Sequence, residues 1–292
     1  MLSDLESFLA RRVIAARHKI FLGQISEFFC NYIVLKVRYE EPAILPYTGR
    51  EESVVETTAS EFFVQAEVRI ESYNLLKHSF YTAWTAGELT YEDLREYAAE
   101  YWHHVSAFPS YLSALHSRLE DGGTRRMIAA NLADEEGIGA PDDRAHSELW
   151  MDFAKGMGAT EGEVKSRTLE PETQRLISSF ERIAREGHIA AALAAFYAYE
   201  SRVPAIAREK AAGLKNLYGA DSATARYFTL HQTADILHAD IWRKLITSEL
   251  AKAPDAAQES LDTVEEIAGA LWSALDAVER NRQARNAVAA SA

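Results

Sequence analysis

Residues 227–242 read YFTLHQTADILHADIW, an apolar stretch that polar residues interrupt at helical intervals. An α-helix turns about 100° per residue, so His231, Asp235 and His238, at positions i, i+4 and i+7, fall within a stripe of roughly 60°. Asp235 and His238 also have the carboxylate-x-x-His spacing with which one helix presents two ligands to a metal inside a bundle. The alternative is a hydrogen-bonded pair on a helix surface, so the metal interpretation needs further ligands elsewhere in the chain.

The sequence from about residue 66 onward predicts helices almost throughout. Ala, Leu and Glu dominate, and apolar residues recur every three or four positions. Thr90, with Asp93 three residues later, is typical of a helix N-terminus. We predict helices over residues 64–86, 91–120, 123–136, 143–157, 171–187, 188–215, 222–251 and 256–285. The fold class is therefore all-α, one bundle with short connections.

The first 65 residues have a different character. They contain an apolar segment, FFCNYIVLKVRY, followed by a turn-rich segment, EEPAILPYTGREESVVETT. We interpret residues 1–65 as an N-terminal extension to which the pattern assigns no structure, residues 66–285 as the functional bundle and residues 286–292 as a C-terminal tail.

Composition narrows the class of protein. Hydrophobic residues make up 48% and charged residues 26%, as expected for a folded chain. A net charge of −13 argues against nucleic acid and against an anionic membrane surface as partners. The single cysteine, Cys30, cannot form an internal disulfide and suits a reducing compartment. With neither a membrane-spanning run nor a signal-peptide pattern, we expect a soluble, cytoplasmic protein.

Other segments supply further potential ligands. Glu200 follows the apolar run AALAAFYAY, where an unpaired buried carboxylate would cost several kcal/mol, so it needs either a metal or a salt bridge to Arg202 or Arg208. Glu135, in NLADEEGIG, ends a predicted helix, where a negative charge opposes the helix dipole. His146 follows in the next helix. Three carboxylates and three imidazoles form a plausible set for two metal ions, and they suit iron or manganese better than structural zinc.

Six motifs together resemble the CADD family, named for the Chlamydia protein associating with death domains. They are HSFYTAWTAGELTYEDL, EYWHHVSAFPSYLSALHSRLED, NLADEEG, HSELW, FYAYESRVPAIAREK and YFTLHQTADILHA, and they occur in order over about residues 66–285. That family belongs to the haem-oxygenase-like dimetal oxidases and oxygenases, distantly related to PqqC and TenA proteins.

The resemblance implies a seven-helix haem-oxygenase-like bundle that encloses two metal ions, Fe/Fe or Fe/Mn, with O2 and a reductant as co-substrates. The family's metal ligands match the six residues reached above: Glu135, His146, Glu200, His231, Asp235 and His238. The reductant is not identified by the sequence. The expected partner is a second copy of the chain, giving a homodimer.

The resemblance also implies an activity, the formation of p-aminobenzoate for folate biosynthesis. Members of the family are thought to consume one of their own tyrosines as the aromatic ring, with a lysine as amino donor. The corresponding tyrosines here are Tyr81, Tyr199 and Tyr227, of which we expect Tyr81 to be consumed, and the corresponding lysine is Lys210. Without the resemblance, core packing would explain each tyrosine, and a solvated position would explain Lys210.

Several rival functions follow from the same sequence. A dimetal oxidase could act on an external small molecule. A TenA-like thiaminase would need a nucleophilic cysteine, yet Cys30 lies outside the bundle. A cofactor-free PqqC-like oxidase would leave six ligand-type side chains buried without a cation. A non-catalytic interaction module that binds death domains would leave the metal set unexplained.

Overall fold

The computed structural model describes residues 51–139 and 143–291, and most of these residues are helical, with no β-strand among them. The predicted extension therefore lies largely outside the described residues. The α-helices are α1 (Glu51–Ser72), α2 (Ser79–Ala86), α3 (Tyr91–Arg118), α4 (Gly123–Glu135), α5 (His146–Gly156), α6 (Glu161–Lys165), α7 (Pro171–Glu186), α8 (Ile189–Glu200), α9 (Val203–Asn216), α10 (Arg226–His231), α11 (Ala234–Lys252) and α12 (Ala257–Ala290). The predicted all-α class is confirmed.

The described residues contain more helices than the eight ranges predicted from the pattern or the seven implied by the resemblance. Several predicted helices are interrupted, and α6 lies outside the predicted ranges. The helix predicted over 188–215 divides into α8 and α9. Pro204 has no N–H with which to bond the carbonyl of Glu200, four residues earlier, so α8 ends there. The helix predicted over 222–251 divides into α10 and α11 at Gln232 and Thr233. Both interruptions lie beside predicted metal ligands.

Helix α8 forms the centre of the bundle. Its residues from Ala190 to Ala198 are all buried, as expected for a helix that is apolar on every side. Its many alanines allow neighbouring helices to approach closely, and α11 and α12 both pack along it. The carboxylate of Glu200, its last residue, is thereby fixed in the protein interior.

Helix α1 crosses the predicted boundary at residue 65. Phe62 and Phe63 lie before that boundary, and they are buried in the same hydrophobic cluster as Ile70, which lies after it. At the other end, α12 continues to Ala290, through most of the predicted tail. The packed interior therefore includes residues that the sequence pattern assigned to the extension, whereas residues 286–290 of the predicted tail are helical but exposed.

Two hydrophobic clusters make up the interior. One surrounds α8; the other contains Tyr81, Trp84, Tyr97 and Trp150, among others, from α2, α3 and α5. Leu75, Tyr101 and Tyr199 pack against both clusters, so aromatic side chains join them. Within the described residues, no helix combines the length and the apolar character that a membrane crossing requires.

Candidate metal centre

The structure brings the six predicted ligands together as two groups of three. Glu135, His146 and His231 form the first cluster, and Glu200, Asp235 and His238 form the second cluster. Within each cluster the potential ligand atoms lie within 4.8 Å of one another, and all six residues are buried. A small cavity of about 10 Å³ is lined by members of both clusters, so the two groups face a common space.

Helix ends position the first cluster. Glu135 is the last residue of α4, His146 the first of α5 and His231 the last of α10. The chain leaves α4 through Gly137, whose φ of +66° is in the left-handed region, and a Cβ there would lie 2.2 Å from the carbonyl carbon of Arg144. Glycine is therefore required for the approach that brings His146 back to Glu135.

The second cluster combines the end of α8 with the start of α11. The Nδ1 atom of His238 lies 3.3 Å from Oδ1 of Asp235 and 3.4 Å from Oε2 of Glu200. Arg202, one candidate partner of Glu200, instead binds Glu67 at 2.5 Å, and Arg208 is exposed. This arrangement therefore favours metal binding over a salt bridge as the explanation for the burial of Glu200.

Buried carboxylates dominate the electrostatics of the site. Burial raises the pKa of Glu200 and is the largest effect on that carboxyl group. Burial alone would lower the pKa of His238, but the neighbouring carboxylates of Asp134, Asp235 and Glu200 raise that pKa to about 12. In the first cluster burial opposes ionisation of Glu135, yet His146 holds the pKa of Glu135 below its usual value. The site is built to hold positive charge.

Several ligand atoms lack partners within the described residues. Buried Oε1 of Glu200 and Oδ2 of Asp235 accept no hydrogen bond, and Nδ1 of His146 makes none with acceptable geometry, although it lies 2.7 Å from Oε2 of Glu135. Buried polar atoms are rarely left unsatisfied. With a metal ion in place of the proton on His238, three carboxylates and three neutral imidazoles would carry a charge of −3, which two divalent cations would offset. The residues present therefore fit a pair of cations.

Side chains outside the six orient them, and sequence reasoning missed these. Trp242 donates its Nε1–H to Oε2 of Glu200 at 2.6 Å. Asp134 lies 3.6 Å from Nε2 of His238. The backbone carbonyl of Tyr227 lies 2.7 Å from Nδ1 of His231, which leaves Nε2 to face the site. The sequence contains only weak signals of these roles: Asp134 precedes Glu135 in the DEEG motif, and Trp242 follows His238 by one helical turn.

The predicted catalytic residues Tyr81 and Lys210 are in direct contact. Nζ of Lys210 lies 3.3 Å from the centroid of the Tyr81 ring, and the same amine lies 4.6 Å from the Trp84 ring. Among the described residues this buried Nζ has no hydrogen-bond partner. Burial lowers the pKa of Lys210 well below its ordinary value, which favours an uncharged, nucleophilic amine.

The Tyr81 phenol belongs to a group of aromatic side chains. Its hydroxyl lies 2.8 Å from that of Tyr97, and burial raises the pKa of Tyr81 to about 12, against the opposing effect of Tyr97. The ring of Tyr97 stacks on that of Tyr101, with centroids 5.7 Å apart. Tyr97 and Tyr101 were not singled out from the sequence, although their spacing of four residues places both on one face of α3.

Tyr199 and Tyr227 lie between Tyr81 and the metal clusters. Both residues line the small cavity between the clusters, and both also line the larger cavity that contains Tyr81. Tyr227 stacks on His231, with centroids 4.1 Å apart. Burial raises the pKa of both Tyr101 and Tyr227. The nearby hydroxyl of Tyr199 lowers each of these pKa values, but by less than burial raises it. An aromatic connection therefore runs from the first cluster to Tyr81.

We expect Lys210→Met to stabilise the folded protein at pH 7. The unfolded chain binds a proton on this lysine up to a pKa of 10.5, whereas burial lowers the folded pKa, so wild-type stability rises with pH between the two values. The gain in Tm should thus be largest near neutral pH and shrink as pH approaches 10. The rise in Tm should be about 2–4 °C for each kcal/mol by which the substitution increases the free energy of unfolding.

Thermal unfolding from pH 7 to 10, on protein kept under nitrogen, measures this. Lys215→Met, on the exposed surface of the same helix, is the control and should show no such trend. A Lys210→Met protein that is less stable than wild type at every pH would indicate a charged, paired lysine instead.

Comparisons with known proteins agree with this architecture. Residues 95–272 match a haem-oxygenase-type family described as an iron-containing redox enzyme. A 4-aminobenzoate synthase from Chlamydia pneumoniae is 39% identical over 201 residues, which cover 67% of this chain and 88% of that protein. A 4-aminobenzoate synthase from Nitrosomonas europaea is 38% identical over 231 residues, covering 75% and 92%.

A solved structure supports the fold independently of close sequence similarity. A domain from Shewanella denitrificans with a heme oxygenase-like fold superposes with a TM-score of 0.65 at 16% identity, covering 77% of this chain and 93% of that one. The chain belongs to the haem-oxygenase-like iron-containing redox enzymes, and within them to the family that includes the 4-aminobenzoate synthases. The resemblance noted in the sequence is confirmed.

Proposed function

We propose that this protein makes p-aminobenzoate for folate biosynthesis, with Tyr81 as the source of the aromatic ring and Lys210 as the source of nitrogen. The six clustered residues would hold two metal ions, Fe/Fe or Fe/Mn: Glu135, His146 and His231 one ion, and Glu200, Asp235 and His238 the other. Bound there, the pair would activate O2 with electrons from a reductant. Relatives at 38–39% identity are named for this product.

The structure of the product defines what a tyrosine must undergo. In p-aminobenzoate a nitrogen lies para to a carboxylate, whereas in tyrosine an oxygen lies para to Cβ. The nitrogen must therefore replace the phenolic oxygen, which leaves as water, and the Cε–Nζ bond of Lys210 must break to release the amine. The Cα–Cβ bond must also break, and Cβ must be oxidised, with O2 as the oxidant, to the carboxylate carbon. An amine beside the ring and an oxidising centre nearby are the two requirements.

The contact between Lys210 and Tyr81 carries the proposal. An amine held 3.3 Å from a ring centroid, buried and without a hydrogen-bond partner among the described residues, is placed for bond formation with that ring. Desolvation that lowers the pKa of this lysine favours the nucleophilic form. As a purely structural element, an unpaired buried lysine would only destabilise the fold.

Tyr199 and Tyr227 are assigned a supporting role in this proposal. Each contacts both the space between the clusters and the cavity of Tyr81. A phenol loses an electron and a proton readily, so these residues can pass oxidising equivalents between the metals and Tyr81. The mainly apolar and aromatic side chains that line the cavity would limit side reactions of the oxidised phenol. The homodimer expected from the resemblance stays a prediction.

Complementation tests the function as a whole. A bacterial strain that cannot make p-aminobenzoate should grow without supplement when it expresses this protein. Growth should be lost when His231 and Asp235, one ligand from each cluster, are both replaced by Ala. The matched control is Asp240→Ala, an exposed carboxylate on α11, which should restore growth fully. Growth with the double variant would favour a role that needs no metal, such as protein binding.

A further inference from the structure

The cavity beside Tyr81 extends from the protein interior to the surface. Its volume is about 50 Å³, a third of the roughly 150 Å³ of a cavity that holds benzene, so an aromatic ring fits here only with the space that the Tyr81 ring leaves when it is consumed. The phenols of Tyr81 and Tyr97 line its buried end. Tyr73, Leu75 and Arg202, which also line it, are each partly exposed. The route from Tyr81 to solvent thus passes between the end of α1 and the start of α9.

Arg202 is the charged residue among those that line this cavity. Apolar side chains surround it, including Ile70, Ile206 and Leu271. Its side chain is 34% exposed and binds Glu67 through Nη2 alone. A guanidinium has five N–H donors in a planar fork that matches a carboxylate, and its other donors have no partner among the described residues. The mouth of an apolar, aromatic-lined cavity therefore carries a guanidinium that Glu67 neutralises in part, with donors left for a second carboxylate.

We infer that Arg202 binds the carboxylate of a flat aromatic monocarboxylate whose ring lies in this cavity. This inference rests on the proposed function, in which the ligand is p-aminobenzoate. The ring would lie among the remaining tyrosines, partly in the space that Tyr81 leaves, and the carboxylate would point outward to the guanidinium. Arg202 does not touch the reacting atoms and is a binding residue for the product as it leaves.

Glu67 competes with such a ligand. Its Oε2 atom binds Arg202, and its Oε1 accepts a hydrogen bond from Tyr197. A carboxylate at the cavity mouth would share Arg202 with Glu67 and would feel repulsion from it. Removing the charge of Glu67 should therefore strengthen binding, whereas removing the charge of Arg202 should weaken it. A merely structural ion pair predicts no effect of either change on ligand affinity.

Titration calorimetry with p-aminobenzoate tests this inference, on metal-loaded Tyr81→Gly protein, in which the space of the consumed ring is open and no product forms; the other substitutions are made in this protein. Arg202→Gln should weaken binding about tenfold, as expected for the loss of a charge-assisted carboxylate contact at a partly exposed site. Glu67→Gln should tighten binding severalfold. Arg208→Gln, an exposed arginine on the same helix, is the control and should leave the affinity unchanged. Unaltered Tm values verify that each variant folds.

Aniline, which has the ring and amine without the carboxylate, is the second probe. Its weak binding should be the same in Tyr81→Gly protein with Arg202 and in the same protein with Arg202→Gln. Equal affinity of these two proteins for p-aminobenzoate, or no binding by either, would overturn the inference even if the complementation experiment succeeds. Arg202-dependent binding combined with failed complementation would support the carboxylate site and remove the proposed function instead.

Discussion

Tyr81→Phe protein should form no p-aminobenzoate while it still binds metal and folds normally. The change removes one oxygen atom that contacts the hydroxyl of Tyr97 and leaves the ring in place. Phenylalanine is far harder to oxidise by one electron than a phenol, and it has no oxygen at the carbon that must receive nitrogen. The expected loss is therefore of product down to background. Stability should fall only by about 1–3 kcal/mol, because the buried hydroxyl of Tyr97 is left unpaired.

The assay is product formation by metal-loaded protein given O2 and a reductant, with the product measured by mass spectrometry. Wild-type protein expressed with ring-labelled tyrosine should yield labelled product, and its own mass should change at Tyr81. Metal content is measured on the same samples, so that loss of activity is separated from loss of metal.

Tyr111→Phe is the matched control. Tyr111 is buried, stacks on Phe180 with centroids 5.2 Å apart, and its hydroxyl has no partner in the described part of the chain. It does not line the cavity of Tyr81, so its phenylalanine variant should remain active. Continued product formation by Tyr81→Phe would show that another tyrosine, or an external substrate, supplies the ring.

Local sequence pattern sufficed for most of the helices. The apolar period of α3 and its capping pair, Thr90 and Asp93, are properties of neighbouring residues, and the structure confirms the capping box. The division of α8 from α9 was also indicated by the sequence, because Pro204 removes a helix hydrogen bond and favours an interruption, although Pro109 is accommodated within α3. The short helix α6 was missed, and so was the burial of Phe62 and Phe63, which depends on tertiary packing rather than on local period.

The grouping of the ligands could not be predicted in the same way. A continuous helix would place His231 with Asp235 and His238 on one stripe. The interruption at Gln232 and Thr233 separates them, and His231 joins Glu135 and His146 instead. Spacing within one helix therefore identified the residue types, whereas their division into two clusters depends on where helices end. The contact of Lys210 with Tyr81 joins α9 to α2 and required the folded structure.

Glu200→Gln should reduce bound metal from about two ions per chain to about one, with opposite effects on stability in the two metal states. In metal-loaded protein the variant loses a charged ligand and should melt at a lower temperature, since metal binding stabilises only the folded chain. In chelator-treated protein the variant should melt at the same or a higher temperature. There Glu200 is a buried carboxylate beside Asp235, with one oxygen unsatisfied among the described residues.

Glutamine suits this experiment because its carbonyl can still accept the Nε1–H of Trp242. Metal content is measured by elemental analysis, and Tm is measured with and without chelator. Glu136→Gln, the exposed neighbour of Glu135, serves as the control and should change neither quantity. If Glu200→Gln instead lowered Tm equally in both metal states and kept two ions, Glu200 would be a structural acid that only anchors Trp242. The opposite signs are expected only of a metal ligand, because the same negative charge is costly in the empty site and stabilising beside a cation.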